Sequence, residues 1–235
     1  MIEVDYAVRH DLEQREVDTG DDEQDILGWE IILERSHAEA RMTWWYLVFM
    51  ACAGLIAAIG LVANLPVLIL GAMSLSPDLA PTNAMAIALT AGAWRQFFRS
   101  LRTLALGLGV AFGVAFLATE VLKFSGLRTE ALVIDEHLLT FVTVISVSTV
   151  IVAVVAGVAA MTAFVTSQAT TAVGVAISVT TIPAAAYAGI AIASTTLAEG
   201  GAALLVLSVN VVCLIVAQIL TLVVIKAWRA RRLQG

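Results

Sequence analysis

From position 44 to position 226 the chain alternates long apolar runs with short polar breaks. The runs expected to cross a membrane are 44–63, 66–93, 103–123, 147–167, 172–194 and 201–226. A run of about twenty residues at 1.5 Å each spans about 30 Å, one hydrocarbon thickness. Trp44-Trp45-Tyr46 opens the first run as an interfacial aromatic belt. The breaks carry a basic connector with Arg95, Arg99 and Arg102, a polar loop over 124–138, turns near 168–171 and 195–200, and a basic tail over 229–235.

The first forty residues read differently. Residues 1–22 lack an apolar period, and Asp18, Asp21, Asp22, Glu23 and Asp25 crowd into a solvated acidic tail. Over 23–41, Ile26, Leu27, Trp29, Ile32 and Leu33 recur at spacings of three and four. That period predicts an amphipathic helix at the membrane surface or against a neighbouring subunit.

Two of the runs contain prolines where a helix would not want them. In 66–93, Pro77 and Pro81 stand around Asp78. In 172–194, Pro183 lies near the middle. A proline deletes a backbone donor and clashes with the preceding turn. Freed carbonyls are tolerated at membrane depth only inside protein or beside a water-filled cavity. Both runs are therefore expected to be broken helices, with Pro77, Pro81 and Pro183 as the breaks. Aligning Pro81 with Pro183 pairs Ser76 with Ser178 and Asp78 with Thr180. Each half then reads full span, broken span, full span. A three-span unit ends on the opposite side from where it began, so its copy is inverted, an arrangement that places transport sites near the midplane. The expected fold is thus all-α and polytopic, six spans in two inverted three-span repeats.

Basic residues set the orientation. With the N-terminus inside and six crossings, the cytoplasmic side holds Arg9, Arg15, Arg35, Arg41, Arg95, Arg99, Arg102, Lys226, Arg229, Arg231 and Arg232. Only Lys123 and Arg128 fall outside. The positive-inside rule then expects a multi-pass protein of the plasma membrane with both termini cytoplasmic.

Composition agrees with this class. The 235 residues are 60% hydrophobic and 14% charged, with a mean hydropathy of +0.93; soluble domains carry roughly 25% charged residues. The net charge of −6 misleads as a global figure, because acids concentrate in the N-terminal tail. Scattered basic residues and few aromatics argue against nucleic acid. Cys52 and Cys213 lie inside apolar runs and read as small buried hydrophobes. His10, His37 and His137 share no metal spacing, and no phosphate loop, nucleophile elbow or catalytic carboxylate pair occurs. No enzyme activity, cofactor or metal is expected.

The candidate chemistry sits at the breaks. Ser74, Ser76, Asp78, Thr82 and Asn83 surround the first; Ser178, Thr180, Thr181 and Tyr187 surround the second. Hydroxyls, amides and unwound carbonyls suit a desolvated ion or a small polar solute. A carboxylate at membrane depth is a functional candidate by default. Asn210 and Gln218, eight apart in the last run, share a face that points into the bundle. Gly107, Gly109 and Gly113 read as close-packing sites, and Gly109 and Gly113 have the spacing of a close helix contact.

Several of these segments resemble a bacterial and archaeal family of hydrophobic membrane proteins, domain of unknown function 389. They are Ile59-Gly60-Leu61, the run from Gly71 to Pro77, Ala156-Gly157-Val158-Ala159, and the run from Gly174 to Ala185. The short actinobacterial members are most alike. Many relatives carry Pro-Pro where this chain has Ile182-Pro183, so one rigid turn element is missing. The resemblance implies the membrane fold over about 40–230 and names no substrate. The reading that follows is a transporter or channel-like protein for an ion or small polar solute, embedded in the lipid bilayer as a homo-oligomer. The alternative is a non-transporting scaffold or sensor acting through its acidic N-terminal segment.

Overall fold

The computed structural model describes residues 32–34, 36, 38, 41–124, 136–166, 181–194 and 196–232, and among them contains helices and no strand. The helices are α1 (Trp44–Val62), α2 (Pro66–Leu75), α3 (Leu79–Thr90), α4 (Trp94–Phe124), α5 (Glu136–Thr143), α6 (Val147–Val165), α7 (Ile182–Ala193) and α8 (Leu197–Arg232). Four of them are long and apolar enough to cross a membrane: α1, α4, α6, and α8 over Leu197–Trp228. The apolar helices α2, α3 and α7 are too short to cross alone.

Local chemistry explains the boundaries. Thr43 caps α1 by accepting from the Tyr46 N–H at 3.2 Å, and Ser146 caps α6 by accepting from the Thr149 N–H at 3.2 Å. Pro66 and Pro183 fall in first turns, where a missing N–H deprives no carbonyl. Asn64 and Gly92 take positive φ (52° and 68°) and close the tight turns after α1 and α3.

The run over 66–93 is interrupted. α2 ends at Leu75, residues 76–78 leave the helix, and α3 begins at Leu79. Pro77 lies in this gap, whereas Pro81 is the third residue of α3 and Pro183 the second of α7. These last two prolines stand at helix starts. Residues 172–180, the first part of the second run expected to break, lie outside the described residues, as do 167–171 before them.

The helices pack through small side chains. Ala53, Ala57, Ala111, Ala115, Ala153 and Ala160 are all fully buried. A Cβ on Gly54 would sit 2.6 Å from the Ala111 Cα, and one on Gly157 would sit 2.7 Å from the Leu214 carbonyl oxygen. These glycines let α1 approach α4 and let α6 approach α8, as expected where lipid supplies no hydrophobic drive between helices. Gly109 and Gly113 do not take the role their spacing suggested, for a Cβ at either meets nothing. Gly107, on the same helix, carries the close contact instead. Cys52 also departs from expectation, since it is exposed on the outer face of α1.

α7 lies between α4 and α8 and also touches α1; α3 lies between the same two helices and also touches α6. Each short helix is thus held by long helices from both halves of the chain. The starts keep one spacing of 103 residues: Trp44 and Val147, Leu79 and Ile182, Trp94 and Leu197. The caps Thr43 and Ser146 obey it too. Aligning the two segments on their prolines therefore sets them one residue out of step with their helices.

At one end, the helical residues Ile32 and Leu33 rest on Ile87, Phe164 and Leu222. The amphipathic residues 23–31 before them lie outside the described residues. Arg95, Arg99 and Arg102 belong to the first turns of α4 and are exposed, so the basic connector is helical.

Candidate functional site

Asp78 is the residue immediately before α3, and Thr181 is the residue immediately before α7. Both are 1% exposed. The Thr181 hydroxyl donates to Asp78 Oδ2. Neither side chain caps its own helix. The two helix starts therefore meet side chain to side chain, across 103 residues of sequence.

The surroundings are polar and closed. Ser76, in the gap between α2 and α3, donates its hydroxyl to Met50 Sδ at 3.4 Å and is 8% exposed. One turn before Met50 on α1 stands Tyr46, also buried. Its hydroxyl has no hydrogen-bond partner in the protein. The ring fills the space that a side chain at Gly107 would occupy.

One turn into α3 the polar set continues. Thr82 donates to the Leu79 carbonyl at 2.9 Å, which leaves its oxygen free to accept from Gln218 Nε2 at 3.4 Å. Gln218 also donates to Asn83 Oδ1 at 2.9 Å. Gln218 is completely buried, and its Oε1 has no partner. A buried unpaired amide oxygen is uncommon enough to need an occupant or a role.

The structure thus brings together Ser76, Asp78, Thr82, Asn83 and Thr181 from the predicted set. Ser74 stands apart: it is exposed and its hydroxyl is satisfied by the Gly71 carbonyl at 2.9 Å. Tyr187 is buried in α7, but its hydroxyl donates to Glu199 in the first turn of α8 rather than to the Asp78 cluster. Asn210 is 2% exposed, two turns before Gln218 on α8. Ser178 and Thr180 lie outside the described residues. Tyr46 and Met50 were missed, whereas Gly107 was expected to be a close-packing site and is one. Tyr46 looked like belt because it follows two tryptophans that are 74% and 70% exposed. Its four-residue spacing to Met50, and Met50's to Gly54, is the signal that it turns inward.

Charge is nearly absent from the interior. Among the described residues Asp78 is the one buried acidic or basic side chain. It stands where two helices start, ends that carry partial positive charge and favour an anion nearby. No group of three His, Cys, Asp or Glu among the described residues could hold a metal ion.

Helices of spanning length and composition, packed through glycine and alanine around one buried carboxylate, define an α-helical membrane protein. More particularly, the chain belongs to the family described as Domain of unknown function (DUF389), whose model matches residues 73–216. The match takes in Asp78, Thr82, Asn83 and Thr181 and leaves out Tyr46, Met50 and Gln218. No curated protein and no solved structure matches the chain.

Proposed function

We propose that this protein moves an ion or small polar solute across the plasma membrane, with the path at the junction of α2, α3 and α7. The observation that carries the reading is Asp78: a carboxylate 1% exposed, held by Thr181 where two 12-residue helices begin. An aspartate at the bilayer centre is disfavoured by roughly 2.5–3.5 kcal/mol on insertion scales, so its place there calls for a function.

The reading includes six crossings in two inverted halves, with α2 and α3 together making the second crossing and both termini cytoplasmic. The constant spacing of 103 residues between helix starts supports the repeat. So does the exchange of short helices between the halves, α7 against α4 and α3 against α8. Broken helices in corresponding positions of inverted repeats are a pointer to a substrate site. Assembly into a homo-oligomer belongs to the same reading, and the outward-facing Gly109 and Gly113 of α4 are compatible with it.

The test is solute flux in proteoliposomes. Vesicles with wild-type protein should shrink and reswell in response to a gradient of potassium chloride or of a small neutral solute faster than empty vesicles. Asp78→Asn should abolish the difference. Equal rates with wild-type protein, the Asp78→Asn variant and no protein would refute transport.

A further inference from the structure

We infer that Ile32 and Leu33, from the N-terminal segment, seal a polar track at the end of the bundle where α3, α6 and α8 run out, an autoinhibitory contact. This rests on the transport reading above and gives it a regulated mouth.

Hydrogen bonds draw the track. It starts at Asp78, which accepts from Thr181. One turn into α3, Thr82 gives its hydrogen to the Leu79 carbonyl at 2.9 Å, so toward α8 its oxygen can only accept. That fixes the amide of Gln218: its nitrogen faces Thr82 Oγ1 at 3.4 Å and Asn83 Oδ1 at 2.9 Å. The amide oxygen is left over, inaccessible to solvent and without a partner. Packing does not require these polar groups. At the spacing of 103 residues that relates the halves, Thr82, Asn83 and Gln218 correspond to Ala185, Ala186 and Ala115, all buried. There α7 packs on α4 with alanine in their place.

The next turn of both helices is apolar. Ala86 and Ile87 of α3, Leu222 of α8, and Met161 and Phe164 of α6 form one buried cluster. Among the described residues, Ile87, Phe164 and Leu222 are the last large side chains buried on their helices; beyond them Ala91, Thr166 and Val223 are exposed. The cluster therefore stands between the polar track and that end of the bundle. Ile32 and Leu33 pack against it. Ser36 beside them is 1% exposed and spends its hydroxyl on the Leu33 carbonyl at 2.7 Å. A segment that merely led in through water would leave that serine wet.

A dry apolar layer stops ions and polar solutes, since hydrophobic constrictions gate by dewetting. While the layer is shut, the Gln218 oxygen behind it is stranded. Water entering past a displaced Ile32 and Leu33 would satisfy it. The stranded acceptor thus favours opening, and the N-terminal contact opposes it.

The test uses the full chain in proteoliposomes, with potassium chloride as the probe. The pair Ile32→Ser and Leu33→Ser should raise flux about threefold or more over wild type. Adding Asp78→Asn should abolish the gain. If the serine pair does not fold, Ile32→Ala with Leu33→Ala takes its place. A second readout needs no flux. With Cys52 and Cys213 replaced, Ala86→Cys puts a thiol within the layer. A charged methanethiosulfonate reagent should modify it about tenfold faster when the pair is present. The inference is overturned if reactivity at position 86 is unchanged by the pair, or if wild-type flux exists and the pair does not raise it. Asp78-dependent flux that the pair leaves unaltered would thus remove the seal and keep transport. A gain in reactivity with no flux from either protein would keep the seal and remove transport.

Discussion

Asp78 and Thr181 hold the same place in two helices of equal length, one residue before the first turn, and the hydroxyl of the second donates to the carboxylate of the first. This bond ties the starts of α3 and α7 together. Its strength is testable by a double-mutant cycle in reversible detergent unfolding. Thr181→Val should destabilise the wild type by about 1–2 kcal/mol, within the range for a bond to a charged acceptor inside a membrane bundle. In an Asp78→Asn background the same change should lose about half its effect or more. Equal effects in both backgrounds would mean that the two side chains are not coupled.

Helix approach depends on glycine at particular places and not at others. Gly54→Ala would put a methyl 2.6 Å from the Ala111 backbone, and Gly157→Ala would put one 2.7 Å from the Leu214 carbonyl oxygen. Each should destabilise by about 1–3 kcal/mol through overpacking. Gly109→Ala and Gly113→Ala meet open space and should stay within about 0.5 kcal/mol. Unfolding midpoints in detergent separate the two pairs, and similar losses at all four would contradict the packing described.

That contrast marks how far the sequence could be read. Long apolar runs announced membrane-length helices, and Pro77 next to Asp78 announced the gap between α2 and α3. The inward face was harder, because a chain that is apolar all round leaves no polar stripe to orient it. Of the three glycines read as close-packing sites, Gly107 is one, while Gly109 and Gly113 meet nothing despite their spacing. Tyr46 was hidden by its neighbours Trp44 and Trp45. Prolines misled differently. In a first turn proline is favoured, so Pro81 and Pro183 mark where helices begin. They do so at the third and second positions, one residue apart, and only helix starts give the common spacing of 103.

Gln218 joins α8 to α3 through Asn83 and Thr82. Gln218→Leu should destabilise by about 1 kcal/mol, since interhelical hydrogen bonds in membranes average near 0.6 kcal/mol each. Adding Asn83→Leu should change stability little further, because its partner is already gone. Additive losses in the unfolding cycle would show that the two residues act separately.

Lys123 at the end of α4 donates to the Ala193 carbonyl, the last of α7, and pairs with Glu120 at 3.0 Å. A cation at a helix C-terminus is favourable. Lys123→Met should loosen that end, and amide exchange over 190–194 should accelerate about tenfold or less while the junction at Asp78 stays protected. Unchanged exchange would show that the contact holds nothing in place.

Cysteine accessibility in intact membranes bears most directly on the claim that a polar path reaches Asp78. With Cys52 and Cys213 replaced, Ser76→Cys puts a thiol beside Asp78, and Leu117→Cys puts one on an outward face that is 61% exposed in the isolated chain. A small charged methanethiosulfonate reagent, confined to water, should modify the thiol at position 76 and leave the lipid-facing one at 117 untouched. If position 76 proves as unreactive as position 117, no aqueous route leads to the carboxylate and the account of this protein as a transporter is contradicted.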